Sequence, residues 1–282
     1  MKTSQYYFLF LIAFLSCGFS QLFLQGETEK EDSINRLRPH NFENTTAIIN
    51  APMPELFRSK LGKILVRYYN EGLGGIEEWS RINSLKLRGT IQIDEGIFKY
   101  ESIAKKPNKL KVRFLKNGRN VEITCNGSEV WRKLPSEEKA HLVDSNSNQY
   151  KNVIHSSVFS SFLLYPFQKG KTIRYFGTKR EDGRLCHIIR VALETGFVLD
   201  YYIGVQSYRE VKVVQNNHLI EGDETTVVFS NFQNINGLQL PFRVISSKKG
   251  KLHASLEIDR AIPNVSVYDW MFNKDPKSDL SM

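Results

Sequence analysis

The 282-residue sequence lacks the motifs that mark the common soluble enzymes. It holds no G-x-S-x-G nucleophile elbow, no H-E-x-x-H zinc motif, no P-loop and no G-x-G-x-x-G dinucleotide fingerprint. Its six histidines are scattered, and ordinary hydrogen bonding accounts for them better than catalysis does. The sequence therefore predicts a protein without catalytic residues and without a cofactor.

Cysteine is also scarce, with three residues in the whole chain and no C-x-x-C pair. The Cys/His spacing of a zinc site is missing, so we expect no metal ligands. Cys125 and Cys186 lie in separate strand-like segments. They form either one disulfide in an oxidising compartment or two buried thiols, and the sequence leaves both interpretations open.

Long apolar runs are absent except between Tyr6 and Leu15, and that run is too short for an ordinary membrane span. It follows Lys2 and precedes small residues, which is typical of a secretory signal over residues 1–20 that is cleaved after Ser20. The alternative is a lipoprotein, anchored to a membrane through Cys17. Both interpretations predict an exported protein.

Residues 21–50 are polar and without a sustained period, which predicts a linker or a loosely packed arm. A single domain is expected over residues 51–282, because no linker-like stretch divides it. It begins with an amphipathic helix near residues 54–72, followed by a helical turn and the alternating strand SLKLRGTIQI. The first helix is stopped by three glycines, Gly72, Gly74 and Gly75.

Alternating segments joined by hairpin-type turns fill most of the remaining chain and predict about 12 strands. No helix of crossover length separates the first of them, so the sheet should be antiparallel. One helical insertion is predicted at about residues 136–165, where apolar residues recur at helical spacing. The expected class is α+β, with a large curved antiparallel sheet, a half-open β-barrel of about 11–12 strands, and helices covering its concave side.

The net charge is +9, and the positive excess is local. Eight basic residues and one acid, Glu101, lie between Lys99 and Arg119. Such a strip fits phosphate head groups at a membrane surface or an acidic envelope partner. The alternative is a solvated strand face, because alternate residues of a half-buried strand are polar. An exported chain without a recognition motif is not expected to bind nucleic acid.

The aromatic content is high, with 18 phenylalanines and 12 tyrosines, many of them on alternating strands. One face of a wide sheet is therefore expected to be aromatic and apolar. A half-barrel of about 12 strands is too wide for side chains to fill easily, so this face is suited to enclosing an acyl chain. The other interpretation is a packed core beneath the helices.

Several short segments, taken in order, resemble one known family. They are GLGG at 72–75, WSRINSLKLRG at 79–89, AKKPNKLKVRF at 104–114, NGSEVWRKLP at 126–135, SSFLL at 160–164, NGLQLPF at 236–242 and NVSVYDWMF at 264–272. Their order and spacing are similar to those of the exported LolA-like proteins, also called outer-membrane lipoprotein-sorting proteins. The similarity extends over nearly all of residues 55–275, and it is to the broad, divergent branch of the family.

The resemblance implies a half-open β-barrel with a helical lid, whose hydrophobic cavity shields lipid chains in the periplasm without catalysis or a cofactor. We accordingly expect a monomeric periplasmic carrier or binding protein for lipoproteins or other acyl-chain lipids. The alternative is a non-catalytic interaction or regulatory module of the envelope in which the cavity is filled. Gly72, Gly74 and Gly75 are the expected hinge of the lid. Seven residues are expected to line the cavity: Phe98, Tyr100, Phe114, Trp131, Phe159, Phe162 and Leu163.

Overall fold

The fold is described from a computed structural model of the chain. The structure describes residues 58–274 except positions 95, 117, 166–168 and 218–223. The predicted signal, the predicted linker and Cys17 lie outside the described residues, as does the predicted start of the first helix at residues 54–57.

The helices are short. Within the described residues they are α1 Lys60–Arg67, which continues into a π-turn at Tyr68–Gly72, α2 Ile76–Arg81 and α3 Asn148–Ser157, with 3-10 turns at Phe162–Leu164 and Asp269–Phe272. Helix α1 begins after Ser59, whose hydroxyl accepts a hydrogen bond from the backbone N–H of Gly62. It buries Leu61, Ile64 and Leu65 on one face, as the helical spacing predicted.

The described residues contain one sheet of 13 strands. The strands are β1 Ser84–Ile93, β2 Gly96–Lys105, β3 Lys109–Lys116, β4 Arg119–Cys125, β5 Val130–Lys133, β6 His141–Leu142, β7 Lys171–Glu181, β8 Arg184–Leu193, β9 Phe197–Gly204, β10 Glu210–Asn217, β11 Glu224–Ile235, β12 Leu238–Lys248 and β13 Lys251–Pro263. Their order across the sheet is β6-β5-β4-β3-β2-β1-β13-β12-β11-β10-β9-β8-β7, and every pair of neighbours is antiparallel. The sheet is curved and unclosed, which confirms the predicted α+β class.

Strand β1 illustrates how the sequence determines the two faces of the sheet. Leu85, Leu87 and Ile91 are buried, whereas Arg88 and Thr90 between the last two are exposed. Successive side chains of a strand point to opposite faces, so this alternation places the apolar set on one side. The apolar side is the concave face, where it packs with α1, α2 and α3 into one large core.

The chain passes from one edge of the sheet to the other between β6 and β7. The prediction of a helical insertion over residues 136–165 is wrong for most of its length. Residues 141–142 form strand β6, and only Asn148–Ser157 are α-helical. The helix ends where the Ser157 hydroxyl bonds back to the carbonyl of Ile154, a bond that competes with the regular helix ladder.

Residues 158–165, which we call the crossing segment, follow α3 and are buried at every position. They contain one 3-10 turn and no α-helix. Ser160 has a φ of 75°, and the Ser161 hydroxyl accepts a hydrogen bond from the backbone N–H of Leu163. Burial on all sides, rather than helical amphipathicity, explains the apolar spacing that resembled a helix.

Cys125 and Cys186 are free thiols. Cys125 belongs to the core on the concave face, whereas Cys186 packs with Ile188, Tyr202 and Val214 in a separate cluster. Ile189 alternates with these outer residues and belongs to the main core, so the second cluster lies on the convex face. The two sulfurs therefore lie on opposite faces of the sheet. In this structure Cys125 and Cys186 are two buried thiols and not a disulfide.

Candidate functional site

The residues expected to line a cavity are buried, and six of the seven belong to the core of the concave face. Phe98, Tyr100 and Phe114 come from β2 and β3, and the rings of Tyr100 and Phe114 lie 5.9 Å apart. Phe159, Phe162 and Leu163 come from the crossing segment. In this conformation the six residues pack with the helices and are covered from solvent.

Trp131 lies apart from the other six. Its neighbour Val130 belongs to the main core, and successive residues of a strand point to opposite faces. Trp131 is paired with Thr124 on the neighbouring strand β4. Thr124 likewise alternates with the core residue Cys125. Trp131 is therefore buried on the convex face and does not line the concave one.

The crossing segment is bonded to three different parts of the fold through its backbone. The hydroxyl of Tyr69 in the π-turn donates to the carbonyl of Leu163 at 2.6 Å. The Lys171 Nζ on edge strand β7 donates to the carbonyl of Phe162 at 3.0 Å. The backbone N–H of Phe159 donates to the carbonyl of Pro107 in the β2–β3 turn at 3.1 Å. These contacts connect the segment to the π-turn, to an edge strand and to a turn within the sheet.

Burial lowers the pKa values of two titratable groups beside the segment. His155 on α3 packs edge-on against Phe162 and Phe197, and its Nε2 lies 2.9 Å from the Thr195 Oγ1. Burial and then the charge of Lys151 lower the pKa of His155 to about 3. Burial lowers the pKa of Lys171 to about 7.

A buried carboxyl group lies on the other side of the crossing segment. The hydroxyl of Tyr68 donates to the Glu210 Oε1 at 2.5 Å, and the Ser161 hydroxyl also bonds this carboxyl group. Burial raises the pKa of Glu210 above its usual value. Beside it, between Trp79 and Ser160, is a cavity of about 30 Å³, which has room for one water molecule but not for an acyl chain.

Two of the three glycines expected to form a hinge, Gly72 and Gly74, are packed against two turns of the sheet. A side chain at Gly72 would overlap the carbonyl oxygen of Tyr208, and one at Gly74 would overlap that of Gly237. Gly74 also has a φ of 94°, a conformation that favours glycine. The backbone N–H of Gln239 donates to the carbonyl of Leu73 at 2.9 Å. In this conformation Gly72 and Gly74 therefore permit close packing at the end of α1.

The basic strip between Lys99 and Arg119 is partly neutralised within the fold. Lys105 and Lys109 make ion pairs with Asp269 at 2.6 and 2.9 Å. Glu122 makes two further pairs with the strip, to Lys111 at 2.7 Å and Arg113 at 2.8 Å. Contact with a membrane or an acidic partner through this strip remains a proposal.

Neither a metal site nor a helical membrane span is found in the part of the chain that the structure describes. No group of three or more His, Cys, Asp or Glu side chains is placed to hold an ion there. None of the described helices has the length and apolar character needed to cross a bilayer.

Sequence comparison gives no relatives: no protein-family model matches the chain, and no curated protein is significantly similar to it. The architecture does match solved structures. A LolA superfamily protein from Nitrosomonas europaea aligns with a TM-score of 0.54 and 13% identity, over 75% of this chain and 96% of the other. The fold is LolA-like.

Two further structures share this LolA-like fold. A domain from Vibrio parahaemolyticus named for outer-membrane lipoprotein sorting aligns with a TM-score of 0.55 and 10% identity, over 75% of this chain and 95% of the other. A DUF1329 family protein from Desulfovibrio piger gives a TM-score of 0.53 and 12% identity, with the same coverage. The resemblance noted in the sequence is confirmed for the fold, and at such low identity it extends no further than the fold.

Proposed function

We propose that this protein binds the acyl chains of a lipoprotein or another lipid on the concave face of its LolA-like half-barrel, as a periplasmic carrier or binding protein. The observation that carries the proposal is the crossing segment. Its residues are buried at every position, belong to the part of the chain that joins the two edge strands, and form no α-helix or strand. We infer that it occupies the lipid site when no lipid is bound, and that it leaves when an acyl chain enters.

The burial free energies of the segment and of an acyl chain are of similar size. Burial of Phe159, Phe162 and Leu163 contributes about 1.5–3 kcal/mol for each side chain, or roughly 5–9 kcal/mol together. Burial of an acyl chain of about ten carbons contributes about 8 kcal/mol at about 0.8 kcal/mol per CH₂. Because the two values are similar, an acyl chain can replace the segment without either state becoming irreversible.

Unsatisfied polar atoms near the segment also favour its displacement. The side-chain oxygens of Asn152, Ser156 and Tyr165 are buried and have no hydrogen-bond partner among the described residues. Each such group costs roughly 1–3 kcal/mol when water cannot reach it. Tyr165 belongs to the segment, so movement of the segment would return its hydroxyl to solvent and offset part of the cost of opening.

A second candidate function is an envelope interaction module with a permanently filled concave face. One observation favours it: the cavity beside the crossing segment measures only about 30 Å³, and six of the expected lining residues are packed in the core. In this alternative the crossing segment is a fixed part of the core.

Mass spectrometry of organic extracts from the purified protein separates the two candidates. The carrier proposal predicts acylated species in the extract, and it predicts uptake of a synthetic triacylated peptide by the delipidated protein. As a control for membrane lipid that is carried through the purification, the same mass of a periplasmic protein that binds no lipid is extracted in parallel. An extract without lipid, together with no uptake of the peptide, would favour the filled module instead.

A further inference from the structure

An open groove of about 720 Å³ lies at one rim of the half-barrel. The β7–β8 turn, the β9–β10 turn and the adjoining part of β11 form its walls. Three arginines line it, Arg180, Arg184 and Arg209. We call this feature the rim groove.

The positive charge of the rim groove is not neutralised by neighbouring acids. Over the described residues, no ion pair includes any of the three arginines. Glu181 in the adjoining strand is paired with Lys212 and Lys179, and Asp182 is exposed in the β7–β8 turn outside the lining. Among the lining residues the single acid is Glu210, whose carboxyl group is bonded by Tyr68.

The walls of the rim groove are apolar as well as cationic. Leu185 is 45% exposed there, although it is a large hydrophobic side chain, and Phe229 and Phe232 also line the groove. The Arg209 guanidinium lies 5.2 Å from the centre of the Phe232 ring and donates to the Gln239 Oε1 at 3.0 Å. These two contacts orient that guanidinium at the groove wall. A ligand with both an anionic group and an apolar part fits such walls.

The rim groove adjoins the crossing segment. Glu210 and Phe232 line both the groove and the small cavity of about 30 Å³. Ser160 and Ser161 of the crossing segment line that cavity from the other side. A ligand held in the groove would therefore have its apolar part next to the segment that, in the proposed function, an acyl chain displaces.

We propose that the rim groove binds the phosphate group of an anionic lipid head while the acyl chains enter the concave face. The inference rests on the proposed function and specifies its ligand class. A guanidinium presents a planar fork of donors that matches a phosphate and keeps its charge at all physiological pH values. Three of them at one opening also raise the local concentration of an anionic ligand.

The test compares two triple variants with the same change in net charge. The groove variant is Arg180→Gln, Arg184→Gln and Arg209→Gln, and the control replaces three exposed cations elsewhere, Arg174→Gln, Lys251→Gln and Arg260→Gln. Each purified protein is incubated with phosphatidylcholine vesicles, with or without phosphatidylglycerol, and the extracted lipid is quantified by mass spectrometry. We expect wild type and control to prefer phosphatidylglycerol by about tenfold or more, and the groove variant to lose that preference.

Phosphatidylcholine uptake separates this inference from the proposed function. If the groove variant takes up both lipids like wild type, the groove inference is wrong and lipid binding stands. An equal loss of preference in both triple variants would assign the preference to bulk charge and also overturn the inference. If wild type takes up no lipid from either vesicle, the proposed function fails, and the groove is judged by soluble probes.

The soluble probes are dihexanoylphosphatidylglycerol, inorganic phosphate and tetraglutamate, each titrated by calorimetry. We expect wild type to bind the first more tightly than the other two, and the groove variant to lose that binding. Equal affinity for inorganic phosphate would identify a free-anion site, and equal affinity for tetraglutamate an acidic-peptide site. Either result, or no binding of any probe, would overturn the assignment to a lipid head group.

Discussion

Replacing Phe162 by alanine should raise the affinity for a triacylated peptide by about tenfold or more, even though it lowers the free energy of unfolding by about 3 kcal/mol. Phe162 of the crossing segment is 5% exposed and packs against His155 on α3. Loss of the ring weakens the docking of the segment on the concave face, where it competes with the lipid. Each 1.4 kcal/mol removed from that docking raises the apparent affinity about tenfold. Peptide binding by the delipidated protein measures the effect.

The matched control is Phe272→Ala. Phe272 is 1% exposed, so truncation removes a comparable buried ring, but it lies on the 3-10 turn at the end of the described chain and outside the main core. We expect a similar loss of stability and no gain in lipid affinity. Unchanged or weaker binding by the Phe162 variant would instead make the segment a fixed part of the core, as in the filled module.

Replacing Gly74 by alanine should lower the free energy of unfolding by about 3 kcal/mol or more, whereas Gly75→Ala, which strains the backbone without an overlap, should lower it by about 1–3 kcal/mol. Both glycines have positive φ, at 94° and 136°, so both substitutions strain the backbone. Only at Gly74 does the added methyl group also overlap a backbone oxygen, that of Gly237. At Gly75 the nearest atom outside the neighbouring residues is the Glu78 Cγ at 3.7 Å.

Equilibrium urea unfolding of both variants measures this difference. Two small and equal losses would contradict close packing at the end of α1. The same two variants also test the hinge hypothesis. Their lipid-exchange rates are measured under conditions in which both proteins are folded. A lid hinge would be supported if Gly75→Ala lowered the lipid-exchange rate by a larger factor than its loss of unfolding free energy accounts for.

The strands were the most predictable part of the fold. Alternation such as that of Leu85, Leu87 and Ile91 depends only on the two-residue period of a strand that is buried on one face, so it can be read locally. The expected count of about 12 fell short of 13, and β6 is a strand of two residues. A strand that short has no period for the sequence to display.

The crossing segment was not predictable as an irregular element. Its backbone is hydrogen-bonded to the π-turn and to the β2–β3 turn, which are distant in sequence, and local spacing carries no information about such contacts. Trp131 was placed on the wrong face for a related reason. In β5 both Val130 and Trp131 are buried, so the apolar pattern does not distinguish the concave side from the convex side.

The polar part of the candidate site was also invisible in the sequence. Glu210 and Tyr68 are 142 residues apart in the sequence, and they meet because the π-turn after α1 packs on the sheet. The three arginines of the rim groove come from the end of β7, the start of β8 and the β9–β10 turn, and they carry no shared motif. The one signal available in the sequence was the charged pair Arg209 and Glu210 at the start of β10. Such a pair is more often found on the exposed surface.

Hydrogen exchange of residues 158–165 tests most directly whether the crossing segment leaves the concave face when lipid binds. In the closed structure the backbone N–H groups of Phe159, Leu164 and Tyr165 are hydrogen-bonded, and the whole segment is buried. The delipidated protein is measured by mass spectrometry with and without a saturating triacylated peptide. We expect the bound lipid to accelerate exchange in this segment while β1 and β13 remain protected. Unchanged or slower exchange in the lipid complex would show that the segment stays in place, and would contradict the proposed displacement.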